Sequence, residues 1–213
     1  MAETTYEQEI EDFIREIFEQ NYEELRLESG QAIAPDVKAT ALNQVLLYWE
    51  KLREIAEGVT DTEVRLSLPN QETPTGLEYT IEGIVDILRE EDRTVMYDIK
   101  THDADYVRAN LEFYEQQLNV YAHIWQGLRG QDLDEMAVIA TDYPEGVREA
   151  LASGDPARRA YALAQWEPVV PIAFDERRVD ETIRAFGTAV DAIEANRFAP
   201  PPLEVLNEVI PGT

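Results

Sequence analysis

Two β-rich runs, Leu77 to Leu88 and Thr94 to Thr101, flank five consecutive charged residues, Arg89 to Arg93, and this segment most restricts what the chain can fold into. Such runs, rich in Ile, Val and Tyr and broken by a charged tip, read as a β-hairpin. Pairing Glu90 with Thr94 across a three-residue tip sets Asp86 directly opposite Asp98. Opposed side chains on one sheet face stand about 4.5–5.5 Å apart at Cβ, and like charges there repel, so a cation is required nearby. Lys100, two residues beyond Asp98, projects from the same face. Ile84, Leu88 and Met96 are expected on that face too, sheltering the charges from water.

Two sheltered carboxylates with one lysine suit a hard divalent cation. Mg²⁺ or Mn²⁺ prefers oxygen ligands and keeps several waters, and the carbonyl of Ile99 is a further oxygen donor. A cation so held polarises a phosphoryl oxygen and lowers the pKa of a bound water, while Lys100 positions that water or offsets developing charge. The reaction class implied is phosphodiester hydrolysis. Gly83 marks a strand position that a neighbour or ligand approaches closely.

The remaining periodicity places helices and strands around this hairpin. Ile10, Phe13, Ile14, Ile17 and Phe18 recur on one face, which predicts a helix over Tyr6 to Leu25. A second helix of about 20 residues opens at Pro35 and stops at Gly58. The period changes to two at Thr60, predicting a strand that ends before Pro69. Beyond the hairpin the pattern predicts a helix over Tyr106 to Leu128, a strand over Met136 to Thr141 and a helix interrupted near Gly154. A strand over Val169 to Phe174 and a helix over Glu176 to Ala195 follow. The class is α/β, or α+β around one sheet. We expect a single domain over 1–199, with a helical part over about 1–58 and a Pro-rich tail over 200–213.

Composition excludes several chemistries. No cysteine is present, which rules out disulfides, thiolate zinc, iron–sulfur clusters and a cysteine nucleophile. No apolar stretch reaches the roughly 18–20 residues of a membrane span, so a soluble, cytoplasmic protein without a membrane partner is expected. The net charge of −26 excludes a basic nucleic-acid clamp. Only Lys38, Lys51 and Lys100 are lysines, against fifteen arginines. Excess carboxylate with few lysines suits multimolar salt, where self-repulsion is screened. A halophilic host is the first reading, and an acidic protein with a basic partner is the other.

The chain resembles the PD-(D/E)XK nuclease superfamily, and within it the RecB-type branch. The resemblance rests on Gly83-Ile-Val-Asp86, Asp98-Ile-Lys100-Thr101 and Gln117-Leu-Asn-Val-Tyr121, in that order and on the expected element types. It implies a restriction-endonuclease-like core, a central mixed β-sheet flanked by helices. It also implies a Mg²⁺- or Mn²⁺-dependent nuclease acting on DNA ends or single strands, with exonuclease and endonuclease activity left open. Asp86, Asp98 and the Ile99 carbonyl become metal ligands, Lys100 the catalytic lysine, and Gln117 with Tyr121 a supporting pair. Tyr121 also reads as a core aromatic beside Leu118 and Trp125, and Gln116 competes with Gln117.

Two departures matter. Many RecB-type nucleases carry a histidine on the helix before the strands; here Asn43, Gln44 or Glu50 would have to serve, or Glu63 on the first strand. The cysteines that hold an iron–sulfur cluster in some relatives are missing. The alternative is therefore an inactive nuclease-fold subunit that binds or scaffolds beside a helicase or repair protein. Of the two histidines, His102 is placed to touch substrate and His123 to serve structure.

Overall fold

In the computed structural model, residues 2–197 are described; the Pro-rich tail over 200–213 lies outside them. Helices α1 (Ala2–Ser29), α2 (Pro35–Lys51) and α3 (Arg53–Glu57) precede strands β1 (Asp61–Glu72), β2 (Glu78–Glu90) and β3 (Thr94–Lys100). Then come α4 (Ala104–Ala109), α5 (Leu111–Arg129), β4 (Glu135–Ala140), α6 (Glu145–Ser153), α7 (Pro156–Gln165), β5 (Val169–Ile172) and α8 (Glu176–Glu194). The sheet order is β1-β2-β3-β4-β5. Only β3 and β4 run parallel, joined through α4 and α5, so the sheet is mixed as expected. Among the described residues no helix is long and apolar enough to cross a membrane.

Helices cover both faces. Val120, Ile124 and Trp125 of α5 pack on Leu66, Val85, Leu88 and Met96. On the opposite face Leu52, with Tyr48 and Ile55, packs on Ile87, Val95 and Tyr97. Full burial of side chains of this size stabilises by roughly 1.5–3 kcal/mol each, so this hairpin is clamped from both sides. Helix α8 packs on α5, and buried Asn119 of α5 holds the turn into α8. Its amide donates to the Ala173 carbonyl at 3.0 Å and accepts the Asp175 N–H at 2.6 Å.

Three elements differ from the sequence expectation. The second helix breaks at Leu52, whose φ of −118° is non-helical and whose side chain is buried against the sheet. The long helix expected from Tyr106 breaks at Asn110, whose side chain donates to the Tyr106 carbonyl at 2.9 Å, an alternative to the backbone ladder. Strand β1 continues through Pro69, because β1 lies at the sheet edge and the register shifts between Leu68 and Gln71. At an edge or a bulge the missing proline N–H costs nothing.

The decisive irregularity lies beside the hairpin. Val85 and Leu88 both pack toward α5, yet Ile87 packs toward α2 and α3. The alternation of faces therefore slips at Asp86. Across from it, the β1–β2 ladder pairs Thr62 with Ile87 and Val64 with Val85 but skips Glu63 and Asp86, and Glu63 has a φ of +52°. Such local breaks in a ladder bend a strand and re-aim a side chain.

Candidate active site

The β3 alternation sends Met96 and Asp98 toward α5, and leaves Asp98 only 2% exposed. A buried carboxylate needs partners, and α5 supplies one. Gln117 and Tyr121, four residues apart, share a helix face. The Gln117 amide nitrogen lies 3.0 Å from Asp98 Oδ1, to which it donates, and 2.9 Å from the Tyr121 hydroxyl. The Tyr121 ring lies against the β2 backbone at Gly83, where a Cβ would fall 2.4 Å from Tyr121 Cε1. Glycine at 83 is thus a requirement of close approach, as the sequence indicates.

Lys100 Nζ lies 2.7 Å from Asp98 Oδ2, and its side chain is only partly exposed. That oxygen is otherwise without a hydrogen bond of good geometry. Burial pushes the Asp98 carboxyl above its usual range; Lys100 and Gln117 pull it back, and the nearby charge of Asp86 adds to the rise.

Asp86 behaves differently from the expectation of two carboxylates facing each other on one sheet face. The hairpin pairs from Glu90↔Thr94 to Ile87↔Tyr97 in the expected register, and the pairing ends there. Asp86 Oδ2 then accepts the Ile99 N–H at 2.7 Å. The slip in β2 turns the carboxylate onto the neighbouring strand's backbone, where a β-ladder would have placed a carbonyl. Asp86 and Ile99 line a cleft of about 680 Å³ with Tyr48, Val59 and Glu63. Ile84, expected to shelter the charges, is 43% exposed; Leu88 and Met96 are buried.

A family model of the PD-(D/E)XK nuclease superfamily matches residues 2–204. The chain belongs to the PD-(D/E)XK nuclease superfamily. The five-stranded mixed sheet flanked by helices is consistent with the restriction-endonuclease-like fold. Among curated proteins none matches the chain. Members of this superfamily typically use divalent metal ions, and the residues present fit such an ion. Asp98 offers a buried carboxylate whose Oδ2 is paired with Lys100 at 2.7 Å, and Asp86 contributes a second carboxylate whose charge raises the Asp98 carboxyl. Among the described residues no group of three or more His, Asp or Glu side chains could hold an ion. An ion here would retain waters, as Mg²⁺ does.

Of the six residues singled out from the sequence, Asp98, Lys100, Gln117 and Tyr121 form one linked set and Asp86 with Ile99 a second, on either side of the β3 end. Of the substitutes considered for the helix histidine, Glu63 lines the cleft with Asp86, whereas two on α2 are placed otherwise. Glu50 is engaged by Arg159 of α7, and Asn43 is exposed. Sequence reading missed Tyr48, which lines the cleft from α2, and Tyr114, whose phenol feels the Asp98 charge. Tyr114 stands three residues before Gln117, a spacing that would have indicated it. Tyr48 carried no such signal, since its place beside Asp86 depends on how α2 packs.

Proposed function

We propose that this chain is a metal-dependent DNA nuclease of the RecB type, hydrolysing phosphodiester bonds in single strands or at ends. The observation that supports the reading best is the linked set Lys100–Asp98–Gln117–Tyr121 beside Asp86, assembled at the end of a hairpin whose ladder opens at that point. In this reading Asp86, Asp98 and the Ile99 carbonyl hold Mg²⁺ or Mn²⁺. Such an ion, when bound, supplies Lewis-acid stabilisation of charge on the phosphoryl group and lowers the pKa of a water.

The chain's own residues supply the rest. Gln117 fixes Asp98 in place, and Tyr121 fixes Gln117. Lys100 holds its ammonium at the Asp98 carboxylate, from which it orients a water oxygen toward phosphorus and offsets the charge that develops as the ester P–O bond breaks. Lysine is suited to this as a compact ammonium on a flexible stem. The net charge of −26 opposes DNA affinity through phosphate neutralisation, and working salt concentrations high enough to screen it fit the lysine-poor composition.

The test uses end-labelled single- and double-stranded DNA with Mn²⁺ or Mg²⁺, in low and molar KCl, for the wild type and Lys100→Ala. Cleavage by the wild type that Lys100→Ala abolishes is the expected result. Absence of cleavage from folded protein in every condition would overturn it. One observation favours a second reading, an inactive nuclease-fold subunit of a repair or helicase complex: Glu50, near the end of α2, is tied up by Arg159. A Mn²⁺ titration separates the two, because an inactive scaffold has no need to bind the ion at Asp86 and Asp98.

A further inference from the structure

Two residues beyond Lys100 the chain leaves the sheet, and there His102 and Tyr106 stack face to face. Their ring centroids are 4.2 Å apart and the planes 29° from parallel. Both are exposed, Tyr106 by 48%. The pair is held on a rigid base. The His102 carbonyl accepts the Asp142 N–H at 3.2 Å, and the Lys100 carbonyl accepts the Thr141 N–H at 2.8 Å. Asp103 caps α4 by accepting the Tyr106 N–H at 2.7 Å, and Ala104 and Val107 anchor that helix in the core.

Tyr106 thus presents the outer face of its ring to solvent. A second exposed ring, Phe113 at 68%, stands one helical turn before Gln117 on the same face of α5. Charge narrows what these rings could take. Asp103 and Asp105 flank the pair, and the nearby Arg108 is already bound to Asp105 and the Glu167 carbonyl. Attraction to phosphates is therefore weak here, in a chain that is strongly acidic as a whole. Base faces are uncharged, and stacking on an aromatic ring is worth about 1–3 kcal/mol per base without sequence preference. In a duplex those faces are already covered by neighbouring bases.

We propose that the His102–Tyr106 pair is a stacking platform for an unpaired nucleobase next to the phosphate that a cation on Asp86 and Asp98 would bind, which makes single strands the preferred substrate. This inference rests on the nuclease reading and adds the contact that replaces phosphate attraction.

The test is equilibrium binding of a 12-nucleotide oligo(dT) carrying one 2-aminopurine, in EDTA and then with Mn²⁺, followed by steady-state cleavage of single-stranded and duplex DNA. Wild type and Tyr106→Phe are expected to quench the 2-aminopurine on binding. Tyr106→Ala is expected to abolish the quench and to weaken single-strand binding roughly tenfold, with little change between 0.1 and 1 M KCl. In cleavage, Tyr106→Ala raises KM for single strands, leaves kcat, and leaves duplex cleavage alone. Equal binding by Tyr106→Ala, or a wild type that does not quench, overturns the platform. Quenching without cleavage in any metal overturns the nuclease reading instead and leaves the platform standing.

Discussion

The two halves of the β2–β3 hairpin use one backbone in opposite ways. From Ile87 to Thr94 the strands pair residue for residue, and Leu88 and Met96 are each 1% exposed beneath α5. From Asp86 outward the pairing stops, a carboxylate takes the Ile99 N–H, and a carboxyl side chain, Asp98, is buried where the other half buries methionine. Apolar burial at the tip half anchors the strands, so that the open half can depart from the ladder and hold charges that a regular sheet would exclude. The tip half serves stability, and the open half gives stability up where the candidate site lies.

The largest effect expected of that difference is on cleavage. Asp98→Asn should lower kcat on the order of 10³-fold, as removal of a key electrostatic group does, without lowering the melting temperature in metal-free buffer. The folded-state carboxyl pKa is raised by burial, so ionising Asp98 costs stability. That cost is present at neutral pH and disappears as pH falls below the unfolded-state value. A melting temperature depressed by Asp98→Asn would break the comparison.

In the tip half the reverse holds. Leu88→Ala should cost about 2–5 kcal/mol in denaturant unfolding, while the protein that remains folded keeps its kcat. Loss of kcat in fully folded Leu88→Ala would show that the two halves are one unit.

Gly83→Ala sits between them. The added Cβ would lie 2.4 Å from the Tyr121 ring, so the ring must move, at a cost of about 1–3 kcal/mol. Its bond to Gln117 should be lost with it. Combining Gly83→Ala with Tyr121→Ala should recover most of that stability, a coupling that a double-mutant cycle measures. Additive effects would place the clash elsewhere.

The smallest effect lies far from the site. Thr75 donates its hydroxyl and its N–H to buried Asp191 on α8, and the hydroxyls of Thr73 and Thr75 hold that carboxyl below the usual range, fastening the β1–β2 turn. This contribution is present above the ordinary carboxyl pKa and is lost as pH falls through the lowered one. Thr75→Val should therefore lower the melting temperature slightly at pH 7, lower it less at acid pH, and leave cleavage unchanged.

Much of the site was legible before the structure. The charged tip defines the hairpin register, the i, i+4 spacing puts Gln117 and Tyr121 on one helix face, and an isolated strand glycine signals the close approach of Tyr121. These are local facts, settled by the two periodicities of the backbone. The slip at Asp86 was not legible, because it arises jointly in β1, where Glu63 takes a positive φ, and in β2. Ile84 alternates like a core residue, yet among the described residues it stays 43% exposed, and only the placement of the helices decides that.

The sequence by itself determined the element types, the pairing at the hairpin tip, the residues able to form the site and the exclusion of cysteine chemistry. Each follows from neighbours within a few positions or from composition. Only the tertiary structure decided that Asp86 bonds the Ile99 N–H rather than facing Asp98, and that Glu50 is engaged by Arg159. It also decided that His102 and Tyr106 stack on each other. Those outcomes depend on which faces helices and strands cover when they pack, a choice made by burial over the whole domain and not by any one segment.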